Sequence, residues 1–245
     1  MINIGITGQN GFLGQNLFNY LNNYPNKYNL VFFEKIFFMN NNSLDVWTEK
    51  CDIIFHFAAV CRGNDENFIF NTNIDLVRKL ISSCERTKSR PHIIFTSSVQ
   101  ENKNTAYGKS KIQGRKLFIK WSENNNTIFS GLILPNVFGR YAKPNYSSVV
   151  ATFSNNLFEN KKSKIILNSK MKLIYIDDLI KIFLYFIENK INNHNYKVDH
   201  SDEVKVSDIL VKLENCYDYL ITNKKFISKN LFDNNLFDTL KSYSK

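Results

Sequence analysis

Apolar and polar positions alternate over residues 2–7, where Ile2, Ile4 and Ile6 face one way and Asn3, Gly5 and Thr7 the other, the period of a strand with one buried face. Residues 15–21 change to helical spacing. Apolar runs at 30–33, 52–57, 92–96 and 127–134 predict further strands, and 71–84 and 107–121 carry a helical period. Strands separated by helices cannot pair as hairpins, so the pattern predicts parallel neighbours joined by crossover helices, an α/β doubly wound sheet. The Asn-rich stretches 40–43 and 124–126 predict connectors. Beyond Gly139 the pattern becomes irregular, with helices at 209–213 and 231–240, as expected of a smaller lobe over the strand ends. The predicted division is 1–139 for the sheet domain and 140–245 for the lobe, with segments of the sheet interleaved.

Composition narrows the class without naming a chemistry. A chain of 245 residues can bury a large core as one doubly wound domain with a lobe. No apolar stretch reaches the ~18 residues of a membrane span, and 179–187 is too short and too near charges. The start, Met1-Ile2-Asn3, lacks a basic region, which predicts no signal peptide and a cytoplasmic protein (the host's cytoplasm, for a viral gene) with no membrane partner. A net charge of +10 raises nucleic acid as a partner, but the cations are spread along the chain and none is expected. The densest groups, Lys161-Lys162-Ser163-Lys164 and Lys170-Met171-Lys172, read either as solvated surface or as counterions for a diphosphate. Cys51, Cys61, Cys84 and Cys216 lack Cys-x-x-Cys spacing and form no metal pattern with His56, His92, His194 and His200, so reduced thiols and no metal are expected. Ser97 and Ser98 lie near His92 in sequence, yet the Gly-x-Ser-x-Gly elbow of a hydrolase is absent.

Two local motifs carry the chemistry. Gly8-Gln9-Asn10-Gly11-Phe12-Leu13-Gly14 joins the first strand to the first helix. Gly8 permits a tight turn, Gly11 a close backbone approach to a pyrophosphate, and Gly14 close packing of helix on strand, while N–H groups at the helix start face the phosphates. The second motif is Tyr107-Gly108-Lys109-Ser110-Lys111, nine residues beyond Ser98. On a helix, Tyr107 and Lys111 share a face with Cβ atoms about 5–6 Å apart. A free phenol titrates near about 10, so a neighbouring ammonium is what would let it exchange protons at neutral pH. Alone, a Tyr and a Lys at this spacing is an ordinary surface pair; behind a dinucleotide cradle it predicts redox chemistry at a carbonyl.

These motifs resemble the extended branch of the short-chain dehydrogenase/reductases, whose order is also kept by Asp52 to Ala59, Thr96-Ser97-Ser98-Val99-Gln100 and Pro135-Asn136-Val137-Phe138-Gly139. Lys143-Pro144-Asn145-Tyr146-Ser147-Ser148-Val149-Val150-Ala151-Thr152-Phe153 and Tyr175-Ile176-Asp177-Asp178 resemble more narrowly the reductase domain of the capsular-polysaccharide CapF/WbjC family. The resemblance implies a Rossmann-like sheet binding NAD(P) over 1–139 and a substrate-binding lobe over 140–245. It implies reduction of the C4 ketone of a UDP-2-acetamido-2,6-dideoxy-hexulose, a homodimer, and an upstream dehydratase and 2- or 3-epimerase. Family members carry a second, cupin-type domain that epimerises C3. This chain stops at Lys245, where that domain would begin, either as a standalone reductase or as an excised domain.

On this reading Ser98 holds the ketone oxygen, Tyr107 donates the proton, and Lys111 binds the nicotinamide ribose and favours the phenolate. Gly8, Gly11, Phe12, Leu13 and Gly14 cradle the cofactor, Ala58 and Ala59 let it pass close to a strand end, and Asn73 steadies the site. Asn136, Lys143, Asn145, Tyr146, Ser148, Val149 and Phe153 join Ser98 as substrate contacts. Asn73 and Asn136 read equally well as turn or cap residues. Glu34 offers an acid to ribose hydroxyls and Lys35 a base to a 2′-phosphate. Lys35 and the resemblance favour NADPH, with NADH the alternative. A 4,6-dehydratase would need an acid pair where Val99 and Gln100 stand; a 4-epimerase, a dTDP-4-dehydrorhamnose reductase-like enzyme and a non-catalytic dinucleotide binder are the remaining alternatives.

Overall fold

The computed structural model describes residues 1–223, 225–228 and 230–244. The first strand is β1 (Ile2–Thr7), followed by α1 (Phe12–Asn22), β2 (Tyr28–Val31), α2 (Asn41–Glu49), β3 (Ile53–His56), α3 (Glu66–Thr87), β4 (His92–Ser98), α4 (Ala106–Asn124) and β5 (Phe129–Leu134). Short 3-10 turns occupy Lys35–Met39 and Val99–Asn102. Then come β6 (Asn136–Phe138), α5 (Val149–Phe158), β7 (Lys170–Tyr175), α6 (Ile176–Asn189), β8 (Asn193–Lys197), β9 (Asp202–Lys205), α7 (Val206–Ile221) and α8 (Leu231–Lys241). Among the described residues no helix is long and apolar enough to cross a membrane.

Two compact units result: Met1–Leu134 with Ile182–Val198, and Pro135–Lys181 with Asp199–Lys245. The first is built on six parallel strands in the order β2-β1-β3-β4-β5-β8. Alternation along each strand sorts side chains between the faces. Ile54, Ile93, Phe95 and Phe129 meet Trp47, Val77, Leu80, Phe118 and Trp121 from α2, α3 and α4. Phe55 and Phe57 turn the other way, each with its ring 5.4 Å from that of Phe183. Covering both faces is what lets these strands read as continuous apolar runs.

The second unit holds a three-stranded sheet, β6-β7-β9, with β6 parallel and β9 antiparallel to β7. Its core joins Phe138, Tyr175 and Phe232, with ring centroids 5.3 and 5.5 Å from Phe138.

Several sequence expectations need correction. Residues 40–43 are no connector: Asn40 caps α2, its side chain accepting from Ser43 N–H at 3.0 Å, and the helix begins at Asn41. An Asn that favours turns also favours the N-cap, and local composition cannot separate the two. The irregular pattern beyond Gly139 conceals four helical and strand elements before residue 200, and α7 runs well past 209–213. The boundary falls after Leu134 instead of at 139, because residues 136–138 pair with β7 and the run 182–198 returns β8 to the parallel sheet. Polar Asn193-His194-Asn195-Tyr196-Lys197 lacks any apolar run, since an edge strand is only half covered.

Candidate active site

The glycine segment is a tight turn between β1 and α1. Gly8 has φ +75°, and its carbonyl accepts from Gly11 N–H at 2.9 Å. A Cβ on Gly14 would lie 2.3 Å from the Gly8 oxygen, so only glycine lets the helix start this close to the strand. Gly11 occupies the N-cap without a capping side chain, and the first turn, with Phe12 and Leu13 half-buried, carries no acid. Its N–H groups and helix dipole are therefore left for an anion.

The turn is braced from β3. Thr7 Oγ1 lies 2.9 Å from His56 Nδ1 and accepts from Ala58 N–H at 3.4 Å; Ala58 and Ala59 are half-buried. Burial pushes His56 down to about 3, assisted by the Lys111 charge, so it is a neutral strut and no catalytic base at physiological pH. Glu34 and Lys35 are both exposed at the start of the 3-10 turn after β2, where the Glu34 carbonyl accepts from Phe37 N–H at 2.9 Å and the two side chains are open to a ligand.

The second motif is assembled by close backbone contact. Ser98 ends β4, and its Oγ accepts from Gln100 N–H at 3.2 Å, starting the 3-10 turn. Thr105 caps α4 by accepting from Gly108 N–H at 3.1 Å. A Cβ on Gly108 would stand 2.3 Å from Gln100 O and 2.9 Å from Lys103 O, so glycine allows the first turn of α4 to lie directly on the segment leaving Ser98. That contact delivers Tyr107, half-buried, to the serine end of β4.

Lys111 follows one turn later and is 3% exposed. Its Nζ donates to Thr96 O at 2.9 Å and lies 5.6 Å from the centre of the Tyr107 ring and 4.7 Å from that of Phe95. Burial lowers its pKa to about 8, against the opposing pull of Cys61 and Glu101. An ammonium this poorly hydrated has strong reason to accept a ligand's hydroxyl oxygens as partners.

Asn73 is fully engaged by the protein. Its Oδ1 accepts from Val60 N–H at 2.7 Å, and its Nδ2 donates to Val60 O and Ser110 Oγ, both at 2.9 Å. These bonds tie the segment after Ala59 to α4.

In the second unit Asn136 opens β6, and its Nδ2 donates to Lys172 O at 3.1 Å. Lys143 and Asn145 are exposed, Tyr146 and Val149 half-buried. Asn145 takes the left-handed conformation at φ +58°, with its N–H on Thr152 Oγ1 at 3.0 Å. Two residues read as substrate contacts are engaged by the protein itself. The Ser148 hydroxyl caps α5 by accepting from Ala151 N–H at 3.3 Å, and Phe153 is 2% exposed in the core. The sequence reading passed over Arg140, which pairs with Asp177 through contacts of 2.7 and 3.2 Å beside the two quoted motifs. It also missed Glu101 and Arg115, although Arg115 stands four residues beyond Lys111, where the same helix face predicts a neighbour. Among the described residues no cluster of His, Cys, Asp or Glu could hold a metal.

A family model for the NAD dependent epimerase/dehydratase family matches residues 4–199. The chain belongs to that family. Within it, UDP-2-acetamido-2,6-beta-L-arabino-hexul-4-ose reductase of Pseudomonas aeruginosa is 29% identical over 216 residues, 85% of this chain and 56% of that protein. The capsular polysaccharide assembling protein CapF of Staphylococcus aureus superposes with a TM-score of 0.81 at 28% identity, covering 99% of this chain and 65% of that one. This family member thus spans less than two thirds of the length of either relative. UDP-glucose 4-epimerase of Thermotoga maritima, at 16% identity and a TM-score of 0.84, shares the fold over 98% of its length.

Proposed function

We propose that this chain reduces the C4 ketone of a UDP-2-acetamido-2,6-dideoxy-hexulose, with NADPH as the favoured nicotinamide cofactor and NADH the alternative. The observation that carries the reading is Lys111, a buried cation under the Tyr107 ring on a helix that Gly108 seats against the serine end of β4. The name of the Pseudomonas relative supports the substrate class, and that of the Staphylococcus relative a place in capsular polysaccharide assembly. The residues fit a dinucleotide: the Gly8-to-Gly14 turn presents backbone N–H groups with no side chain across them.

A bound nicotinamide supplies the hydride. As negative charge grows on the ketone oxygen, Ser98 Oγ donates a hydrogen bond to it and fixes its position. Tyr107 gives its phenolic proton to that oxygen, and Lys111 stabilises the phenolate left behind while holding the ribose hydroxyls. Lys35 meets the 2′-phosphate that distinguishes NADPH. Asn136, Lys143, Asn145, Tyr146 and Val149 contact the sugar nucleotide; Ser148 and Phe153 hold that segment in shape. The unit of Met1–Leu134 and Ile182–Val198 serves the cofactor and that of Pro135–Lys181 and Asp199–Lys245 the substrate, the protein working as a homodimer in the cytoplasm between an upstream dehydratase and epimerase and the consumers of the sugar.

The test is the loss of reduced-nicotinamide absorbance when the 4-keto sugar is generated in place by a dehydratase. Consumption of NADPH that depends on both chain and sugar is expected. Interconversion of UDP-hexoses with no net change in cofactor would replace reduction with epimerisation.

A further inference from the structure

We propose that Glu101 and Arg115 are positioning residues that lock the serine end of β4 to the tyrosine and lysine of α4 and keep a carboxylate beside the Lys111 ammonium. The inference rests on the roles proposed above for Ser98, Tyr107 and Lys111. Glu101 lies in the 3-10 turn that immediately follows Ser98, and Arg115 lies on α4 four residues beyond Lys111 and eight beyond Tyr107, so one helix face presents all three. Arg115 Nε donates to Glu101 Oε1 at 3.1 Å and Nη2 to Oε2 at 2.5 Å, a fork that fixes direction as well as distance. The Ser97 hydroxyl donates to the same Oε1, and Arg115 Nη1 donates to Asn195 Oδ1 on β8. A single ion pair thereby joins β4, the turn after it, α4 and β8.

Burial separates this pair from the other ion pairs of the unit. Its side chains are 12% and 9% exposed, against 53% and 46% for Lys27 and Glu188. An exposed pair contributes little, whereas removing one partner of a buried pair leaves a charge without compensation. The sheet makes room for it. A Cβ on Gly131 of β5 would stand 2.7 Å from Arg115 Cδ, so the glycine leaves the lane along which Arg115 reaches Glu101.

The charge matters to the reacting groups because Lys111 is deeply buried. It is faced by Tyr107 from its own helix, by neutral His56 from β3, by Cys61 from the segment after β3, and by Glu101. Cys61 and Glu101 oppose the burial that lowers Lys111 to about 8. Arg115 orients that carboxylate and offsets part of its field, so removing either member should move Lys111 in opposite directions.

The experiment follows the titration of Lys111 by NMR in protein carrying isotope-labelled lysine, its signal assigned by its loss in Lys111→Arg, beside steady-state reduction of the 4-keto sugar. Glu101→Gln should lower the Lys111 titration, and Arg115→Gln should raise it. Both should lower kcat about ten- to a hundredfold through misplacement of Ser98 and Tyr107, with sugar KM little changed. Arg115→Lys keeps the charge but not the fork, so the titration should stay while kcat falls. Where a single variant does not fold, the double variant Glu101→Gln/Arg115→Gln retains an amide pair and should show the downward shift. Shifts of the same sign in the two single variants, an unmoved titration in Glu101→Gln or in the double variant, or unchanged kcat in Arg115→Lys overturns the proposal. If the titrations move as stated but the unmodified protein reduces no ketone, the reductase reading and the catalytic purpose of the pair fall, and only the coupling of Glu101 to Lys111 is supported.

Discussion

Tyr107 and Lys111 divide the proposed proton transfer between a group that gives the proton and a group that makes giving it possible. Tyr107→Phe removes only the first. Turnover should fall about 10²–10⁴-fold with cofactor affinity and far-ultraviolet circular dichroism retained; a rate within tenfold of the unmodified protein would remove Tyr107 from the mechanism. Lys111 has an opposite cost and benefit. Its folded-state pKa, about 8, lies below its ordinary 10.5, so between those values the unfolded chain binds the extra proton and stability rises with pH. Below about 8 the buried ammonium costs up to about 3 kcal/mol. Lys111→Met should therefore raise the denaturant midpoint at pH 7 while weakening nicotinamide binding and reduction. In the unmodified protein, cofactor binding should weaken as pH rises through about 8. A variant both less stable and fully active would contradict this account.

At the scale of elements, the two motifs are places where a helix begins unusually close to a strand end. The glycines that allow this are not equivalent. A Cβ on Gly14 meets backbone at 2.3 Å, whereas one on Gly11 meets only Gly8 O, at 3.1 Å. Gly14→Ala is expected to lower stability by about 1–3 kcal/mol through strain in the β1–α1 junction. Gly11→Val is expected to leave the sheet folded and abolish cofactor binding, because the branched side chain would stand in the pyrophosphate path. Fluorescence titration with the cofactor and urea unfolding of both variants separate the effects; unchanged affinity in Gly11→Val would make the cradle a turn and nothing more. These junctions were legible because each motif is contiguous, with its glycine spacing visible over a few residues. The Asn40 cap of α2 was not, because its residue type also signals a connector.

At the scale of the molecule, the parallel sheet buries two histidines as neutral rings, His56 held down to about 3 and His92 to about 4, in each case mainly by burial. The unfolded chain takes up these protons first, near about 6.5, so stability should fall as pH drops below that value and continue falling toward the folded-state values. Urea unfolding across pH 7 to 4 measures it; a flat profile in the protein would show that neither ring titrates against the fold, and an unaltered one in His56→Phe that His56 does not. Continuous apolar runs separated by helical spacing determined the parallel core, and contiguous motifs carried the proposed cradle and the proposed Ser98, Tyr107 and Lys111 set, because burial on both sheet faces and a glycine-rich turn impose their requirements on neighbouring residues. Tertiary structure alone decided that polar residues 193–197 close the sheet, that Asn73, Ser148 and Phe153 support the structure, and that Glu101 meets Arg115. Each of those depends on partners far along the chain, and a side chain's vacancy or engagement becomes defined only when the backbone brings those partners within bonding distance.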